Sequence, residues 1–166
     1  VLLQYDIGDW LEYERPLTES KPHRAGPAKP AGKYFVLTGN THFGVQSLEY
    51  DPWQERWFLS VYPGSKSRFP NFSLFAIEAT TKPRTERLEG SNGEKAAVLS
   101  LAEDGLRHEK TGIRGWKREL PFGMQAVDDG LYYLVSSQSA RGRSSATLTL
   151  EEWTGEPEQP FRPVDR

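Results

Sequence analysis

The chain of 166 residues contains no cysteine, which excludes disulfide bonds and thiolate metal sites. This absence is weakly typical of a reducing compartment, so we slightly favour the cytoplasm. No apolar run approaches the roughly 18 residues of a membrane-spanning helix, and no signal peptide is recognisable. Neither sign of charge dominates, because the net charge is −2 and the pI is near 6.0. We therefore expect a soluble protein with no membrane span and no nucleic-acid partner.

Dense catalytic motifs are missing as well. The sequence has no GxSxG, no Walker phosphate loop, no GxGxxG, no EF-hand loop and no HExxH pattern. It also has no convincing long amphipathic helix. The chain begins at Val1 rather than at methionine, so we expect it to be part of a longer reading frame. Motifs alone name no reaction.

A repeat is present instead. The pattern FGVQSLEYD at 43–51 returns as FGMQAVDD at 122–129, an offset of 79 residues (43 to 122). The apolar segments that follow match at an offset of 74 residues (57 to 131), because a turn is shorter in the second copy. Length changes confined to a turn are typical of a duplicated supersecondary unit. We predict an internal repeat over about 40–101 and 119–166.

Short apolar or alternating segments predict strands through most of the chain. These segments are 1–6, 33–37, 44–50, 57–62, 73–79, 96–101, 123–127, 131–135 and 146–153. Residues 96–101 are predicted to be the fourth strand of the first copy, with a helix as the rival interpretation. Proline and glycine predict a loop or linker over 16–33, and small residues predict a mobile loop over 136–145.

Three or four antiparallel strands per copy, joined by long connections, favour a β-propeller. We predict an all-β fold of antiparallel four-stranded blades in an incomplete ring, with about two blades plus part of a third. A β-sandwich is the alternative. Residues 1–166 are then one all-β domain or a fragment of a larger propeller, whose remainder, or another copy of the chain, is a candidate partner. Gly44 and Gly123 suit the crowded centre of such a ring.

Five segments resemble uncharacterised bacterial β-propeller proteins. They are GVQSLEYD (44–51), WFLSVY (57–62), FPN (69–71), HEKTGI (108–113) and WTG (153–155). The resemblance covers most of the chain and implies the propeller fold. It implies little chemistry, because that family has no established activity.

Basic loops suggest a ligand surface. If consecutive strands form hairpins, the loops over 63–71 and 136–145 emerge at the edge where the first strand of each copy begins. Arginine forks bind carboxylates and phosphates, so an acidic ligand is one hypothesis, and solvated loop charge is the more common alternative. The candidate ligand-binding residues are Asn40, Gln46, Lys66, Arg68, Trp116, Gln125, Arg141 and Arg143.

Two histidines are the catalytic and metal-ligand candidates. A ring axis could bring His42 and His108 together with Gln46 or Gln125, as an acid/base pair or around a divalent metal. No dense ligand spacing supports a metal site, so we predict no cofactor while keeping a divalent metal open. For the two glutamines, the alternative role is hydrogen bonding to backbone groups between sheets.

Two functions follow from these residues. The first is a module that binds a small ligand, glycan or protein on the loop-rich face. The alternative is a glycoside hydrolase or polysaccharide lyase acting on an acidic sugar, with paired carboxylates such as Glu49 and Asp51. Asp51 precedes a proline, however, and is more typical of a turn. Trp53 and Trp57 could stack on sugars, although most aromatic residues are expected in the core.

Overall fold

The computed structural model describes residues 1–20, 22, 25–88, 92–120, 122–140 and 142–164. Over these residues the chain is all-β, with thirteen strands and a 3-10 helix at Trp10–Tyr13. The strands are β1 (Leu2–Gln4), β2 (Gly32–Val36), β3 (Thr41–Asp51), β4 (Arg56–Pro63), β5 (Leu74–Glu78), β6 (Arg84–Arg87), β7 (Lys95–Leu99), β8 (Leu106–Arg107), β9 (Arg114–Gly115), β10 (Met124–Asp128), β11 (Leu131–Ala140), β12 (Arg143–Trp153) and β13 (Phe161–Pro163). The all-β prediction is confirmed.

The chain divides into two compact units. The first comprises Val1–Phe35 and Pro83–Val98, and the second comprises Val36–Lys82 and Leu99–Arg166. The first unit holds a four-stranded sheet in the order β1-β2-β7-β6. None of its described residues is buried, so this unit has little core of its own.

The strand predicted over 96–101 exists, but its place in the fold differs from the prediction. It is β7, and it lies between β2 and β6 rather than beside β5. Pairing across a sheet depends on which strands the chain brings together, and the composition of one strand does not specify its neighbours. β5 pairs with β4 on one side, and on the other side it contacts a short segment much later in the chain, where Leu74 forms an antiparallel bridge with Trp116.

The second unit contains two larger antiparallel sheets, in the orders β3-β4-β5 and β10-β11-β12-β13, and a small ladder of β8 and β9. The nearly continuous apolar run over 57–62, which contains one polar residue, Ser60, lies within β4, and β4 is paired on both sides as a central strand is. The predicted mobile loop over 136–145 is wrong. Its described residues extend β11 and β12 as a paired hairpin, with Ser139 opposite Ser144, because backbone pairing does not require apolar side chains.

The core of the second unit lies between these two sheets. Phe58 of β4 packs edge-to-face against Tyr132 of β11 at 5.8 Å and against Trp153 of β12 at 4.9 Å. Leu74 and Ala76 of β5 belong to the same buried cluster. Such ring contacts add stabilisation beyond the area that they bury. The aromatic content of the sequence therefore fills the space between two sheets.

Candidate functional site

One edge of the β3-β4-β5 sheet carries an ordered basic loop. The backbone carbonyl of Asn40 accepts a hydrogen bond from the Gly64 amide at 2.9 Å. Its side-chain Oδ1 accepts another from the Lys66 amide at 3.1 Å. Asn40 directly precedes β3, and the loop over 63–71 directly follows β4. Asn40 therefore lies next to this loop, as predicted. Its two hydrogen bonds connect the loop to the start of β3.

The loop is also fastened from within. The Lys66 carbonyl accepts hydrogen bonds from the Phe69 amide at 3.0 Å and from Asn71 Nδ2 at 3.3 Å. Asn71 has a φ of 52°, a left-handed conformation that asparagine tolerates better than most residues. The Arg68 guanidinium lies 4.8 Å from the centre of the Phe69 ring, a cation–π contact. These contacts fix the conformation of the loop in the absence of a ligand.

Lys66 and Arg68 are exposed, and among the described residues neither forms an ion pair. Beside them, the Phe43 ring meets the Tyr62 ring edge-to-face at 5.8 Å, and Phe43 is 78 % exposed. His42 is exposed next to Phe43. We call this surface the basic edge. It comprises Asn40, His42, Phe43, Tyr62, Lys66 and Arg68.

The glutamine candidates make local hydrogen bonds. Gln46 Nε2 donates to the Phe43 carbonyl at 3.0 Å. Gln125 Nε2 donates to Glu49 Oε1 at 2.9 Å and to the Ala126 carbonyl at 3.1 Å. Both amides therefore bond to groups of the protein itself: the backbone acceptors are close in sequence, and the contact between the two sheets is to the Glu49 side chain.

The two histidines lie in different settings. His42 is exposed on β3, whereas His108 is half-buried in a turn, where its Nδ1 lies 2.8 Å from Thr111 Oγ1. The His108 carbonyl also accepts the Thr111 and Gly112 amides. Among the described residues, no group of three or more histidine, aspartate or glutamate side chains is placed to hold a metal ion.

Trp116 is corrected from a ligand candidate to a core residue. It is 1 % exposed, and its ring lies 5.1 Å from that of Trp153 in an edge-to-face contact. Trp116 was a ligand candidate because basic residues, Arg114, Lys117 and Arg118, lie near it in sequence, but its backbone pairs with Leu74 and its indole is buried. Arg143 is exposed at the start of β12, opposite Ala140. Arg141 lies outside the described residues.

A buried polar cluster was not foreseen. Asp51 is fully buried, and its Oδ1 accepts the Trp53 amide at 2.8 Å and the Gln54 amide at 3.1 Å. Its Oδ2 accepts a hydrogen bond from the Tyr132 hydroxyl, which also accepts one from Gln54 Nε2 at 3.0 Å. Burial, together with this carboxylate, raises the pKa of Tyr132 far above its ordinary value. The sequence signalled the turn role of Asp51 but not its contact with β11.

Glu49 makes a second link between the sheets. Its Oε1 accepts the Ala126 amide of β10 at 2.9 Å in addition to the Gln125 side chain. Burial raises the pKa of Glu49, the Ala126 hydrogen bond opposes this, and the charge of Asp51 adds to the rise. A carboxylate held by a backbone amide and a side-chain amide is positioned to join strands.

Other buried charges are also paired. Arg118 contacts both carboxylate oxygens of buried Glu151, at 2.7 and 2.8 Å. Arg56 bonds Glu78 at 2.7 Å and Asp104 at 2.8 Å. Burial lowers the pKa of Arg56, but the hydrogen bonds and charges of these two acids outweigh that effect, so its pKa is raised. These arginines are already bound by the protein's own acids, unlike Lys66 and Arg68.

The first unit contains a cleft of about 250 Å³. It is lined by Trp10, Tyr13, Glu14, Ala25, Gly26 and Pro27. Its lining is mostly apolar, and it includes none of the residues that the sequence singled out.

Comparison of the chain with protein-family models, with curated proteins and with solved structures finds no significant match. Over the residues that the structure describes, no helix has the length and apolarity needed to cross a membrane.

Proposed function

We propose that this protein is a binding module and that the basic edge binds an anionic group of a small ligand, glycan or protein. The observation that carries the proposal is the ordered loop over 63–71, which presents Lys66 and Arg68 without acidic partners among the described residues. Cations on an ordered loop without an internal counter-ion are available to a carboxylate or phosphate. The exposed Phe43 ring offers an apolar contact beside them.

A binding role without catalysis is consistent with the acidic side chains of the second unit, because three of them are already hydrogen-bonded within the protein. Asp51 and Glu151 are buried and bonded to tyrosine, amide and arginine donors. Glu49 bonds to β10. The alternative, a hydrolase or lyase for an acidic sugar, requires an acid or base that reaches the ligand. His42 is the candidate within the basic edge, and no other observation favours this function.

The propeller is part of the proposal. Its support is that β3 and β10, the first strands of their sheets, lie side by side and are joined by Glu49 and Ala126. First strands of neighbouring blades meet in this way around an axis. The repeat at offset 74 aligns Phe58 with Tyr132, yet these rings face each other. Blades related by rotation about an axis would instead point equivalent residues the same way round. The contact between Phe58 and Tyr132 is therefore the one observation that favours the alternative, a β-sandwich.

Calorimetric titration with inorganic phosphate, citrate and trigalacturonate tests the binding proposal. We expect at least one of these anions to bind, with an affinity that falls as salt rises. Lys66→Ala and Arg68→Ala should each weaken binding by about tenfold, or about 1.4 kcal/mol.

Lys95→Ala is the matched control, because Lys95 is an exposed cation on β7. It should leave the affinity unchanged. Absence of binding by all three anions, or equal losses in the Lys66, Arg68 and Lys95 variants, would contradict the proposal. Arg143→Ala reports whether the β11–β12 hairpin contributes to the same site.

A further inference from the structure

The turn end of the β3–β4 hairpin carries three exposed aromatic side chains. Tyr50 of β3 lies directly opposite Trp57 of β4, and Trp53 lies in the turn between the strands. Tyr50, Trp53 and Trp57 are 40 %, 46 % and 37 % exposed, whereas the next ring along, Phe58, is 1 % exposed. We call these three side chains the aromatic platform. It lies at the opposite end of the hairpin from the basic edge and is not used in the proposed function.

Two of the rings form one continuous surface. The centres of the Tyr50 and Trp57 rings are 4.8 Å apart, with an angle of 40° between their planes. Leu48 precedes Tyr50 on the same face of β3 and is 44 % exposed. Isolated exposed apolar residues are ordinary, but exposed aromatic rings in contact with each other, as Tyr50 and Trp57 are, mark a binding surface.

The turn that supports the platform is preorganised. Asp51 Oδ1 accepts the backbone amides of Trp53 and Gln54, and the Glu55 carbonyl accepts the Ala79 amide at 2.7 Å. Gln54 Nε2 further donates to the Tyr132 hydroxyl in the core. Binding to a turn that is already ordered costs less conformational entropy than binding to a turn that must first become ordered.

The chemistry of the platform indicates its ligand. Trp and Tyr supply a large, rigid contact area with few rotatable bonds, and the apolar C–H face of a sugar ring matches a planar aromatic surface. Glu55 is exposed in the same turn as Trp53 and can accept hydrogen bonds from hydroxyl groups. The adjacent cation, Arg56, is already paired with Glu78 and Asp104. We infer that the aromatic platform binds a neutral oligosaccharide.

The test uses calorimetry with cellohexaose, xylohexaose, mannohexaose and N-acetylchitohexaose, together with NMR of the tryptophan indole N–H groups. We expect at least one hexasaccharide to bind and to shift the indole signals of Trp53 and Trp57. Trp53→Ala and Tyr50→Ala should each weaken that binding by about tenfold or more. Trp53 is the primary variant, because its side chain lies in the turn, and circular dichroism checks the fold of each variant.

Trp10→Ala is the matched control, because Trp10 is 54 % exposed in the first unit and should not affect saccharide binding. Arg68→Ala should also leave it unchanged, which separates this site from the basic edge. The inference is overturned if no hexasaccharide binds at millimolar concentration or if Trp10→Ala weakens binding as much as Trp53→Ala. A dimer that Trp53→Ala dissociates would overturn it as well, because a second copy would then cover the platform.

Discussion

At the scale of single residues, the buried carboxylate of Asp51 is the most informative group in the second unit. It stabilises the turn after β3 through two backbone amides and contacts β11 through the Tyr132 hydroxyl. Hydrogen bonds to a charged group contribute more than neutral ones, and a buried carboxylate that loses a donor retains its desolvation cost. Asp51 therefore connects the shape of a surface turn to the packing of the core.

Tyr132→Phe removes the hydroxyl and leaves the ring. We expect the free energy of unfolding to fall by about 2–3 kcal/mol, because Asp51 loses a charge-assisted hydrogen bond. Urea denaturation measures the effect. Tyr133→Phe is the control, since Tyr133 is the next residue of β11 and points to the other face. Its effect should stay within about 0.5 kcal/mol, and equal effects of the two substitutions would contradict this account of the buried link.

Glu49→Gln tests the electrostatics of the second link. Because the pKa of Glu49 in the folded state is raised above 4.5, the folded protein holds this proton more tightly than the unfolded chain. The resulting stabilisation is present below pH 4.5 and is lost as the pH rises through the folded-state pKa. Thermal unfolding at pH 4 to 7 should therefore show the Glu49→Gln variant gaining stability relative to wild type as pH rises. If the stability of the Glu49→Gln variant relative to wild type stayed constant or fell as pH rises, the raised pKa of Glu49 would be refuted.

At the scale of elements, β9 lies very close to β5, the last strand of the β3-β4-β5 sheet. This close approach allows the chain after β9 to pair with β5. A Cβ atom placed on Gly115 would lie 2.6 Å from the Leu74 carbonyl oxygen and 3.0 Å from Phe75 Cδ1. Only glycine allows the backbones to come this near. The bridge between Leu74 and Trp116, and so the inward position of the Trp116 indole, depends on that spacing.

Gly115→Ala should lower the free energy of unfolding by about 1–3 kcal/mol, because the nearest clashing atom belongs to the backbone of β5. Chemical denaturation measures the loss. Gly26→Ala serves as the comparison, since a Cβ there meets no atom within 4 Å. Similar small effects from the two substitutions would show that β9 and β5 are farther apart than the structure has them.

The strands also show when a sequence pattern is enough to predict an element. The apolar run over 57–62 predicted β4, because residues buried on both faces carry their own signal. The Ser-rich arm of β11 and β12 carried no such signal, since its pairing depends on backbone groups alone. Trp116 was misplaced for a related reason. Charged neighbours describe the surface around a residue, whereas its burial depends on the distant strand that pairs with it.

At the scale of the whole molecule, the β3–β4 hairpin carries both proposed sites. The basic edge lies where β3 begins, and the aromatic platform lies where it ends, roughly 30 Å away at about 3.3 Å per residue. Hairpin connectivity was enough to predict that Asn40 and the loop over 63–71 share an edge. The contacts from Glu49 and Asp51 to the other sheet could not be predicted, because they join residues whose only relation is the packing of the two sheets.

The most direct test of the central claim, that the basic edge is the ligand-binding surface, is a backbone amide NMR titration of the whole chain with citrate. We expect saturable shifts at Gly64, Lys66 and Arg68, whose amides lie in the loop that is hydrogen-bonded to Asn40, and smaller shifts elsewhere. Arg68→Ala should weaken the saturation. Shifts centred on β6 and β7, or no saturable shift at the loop, would contradict the claim.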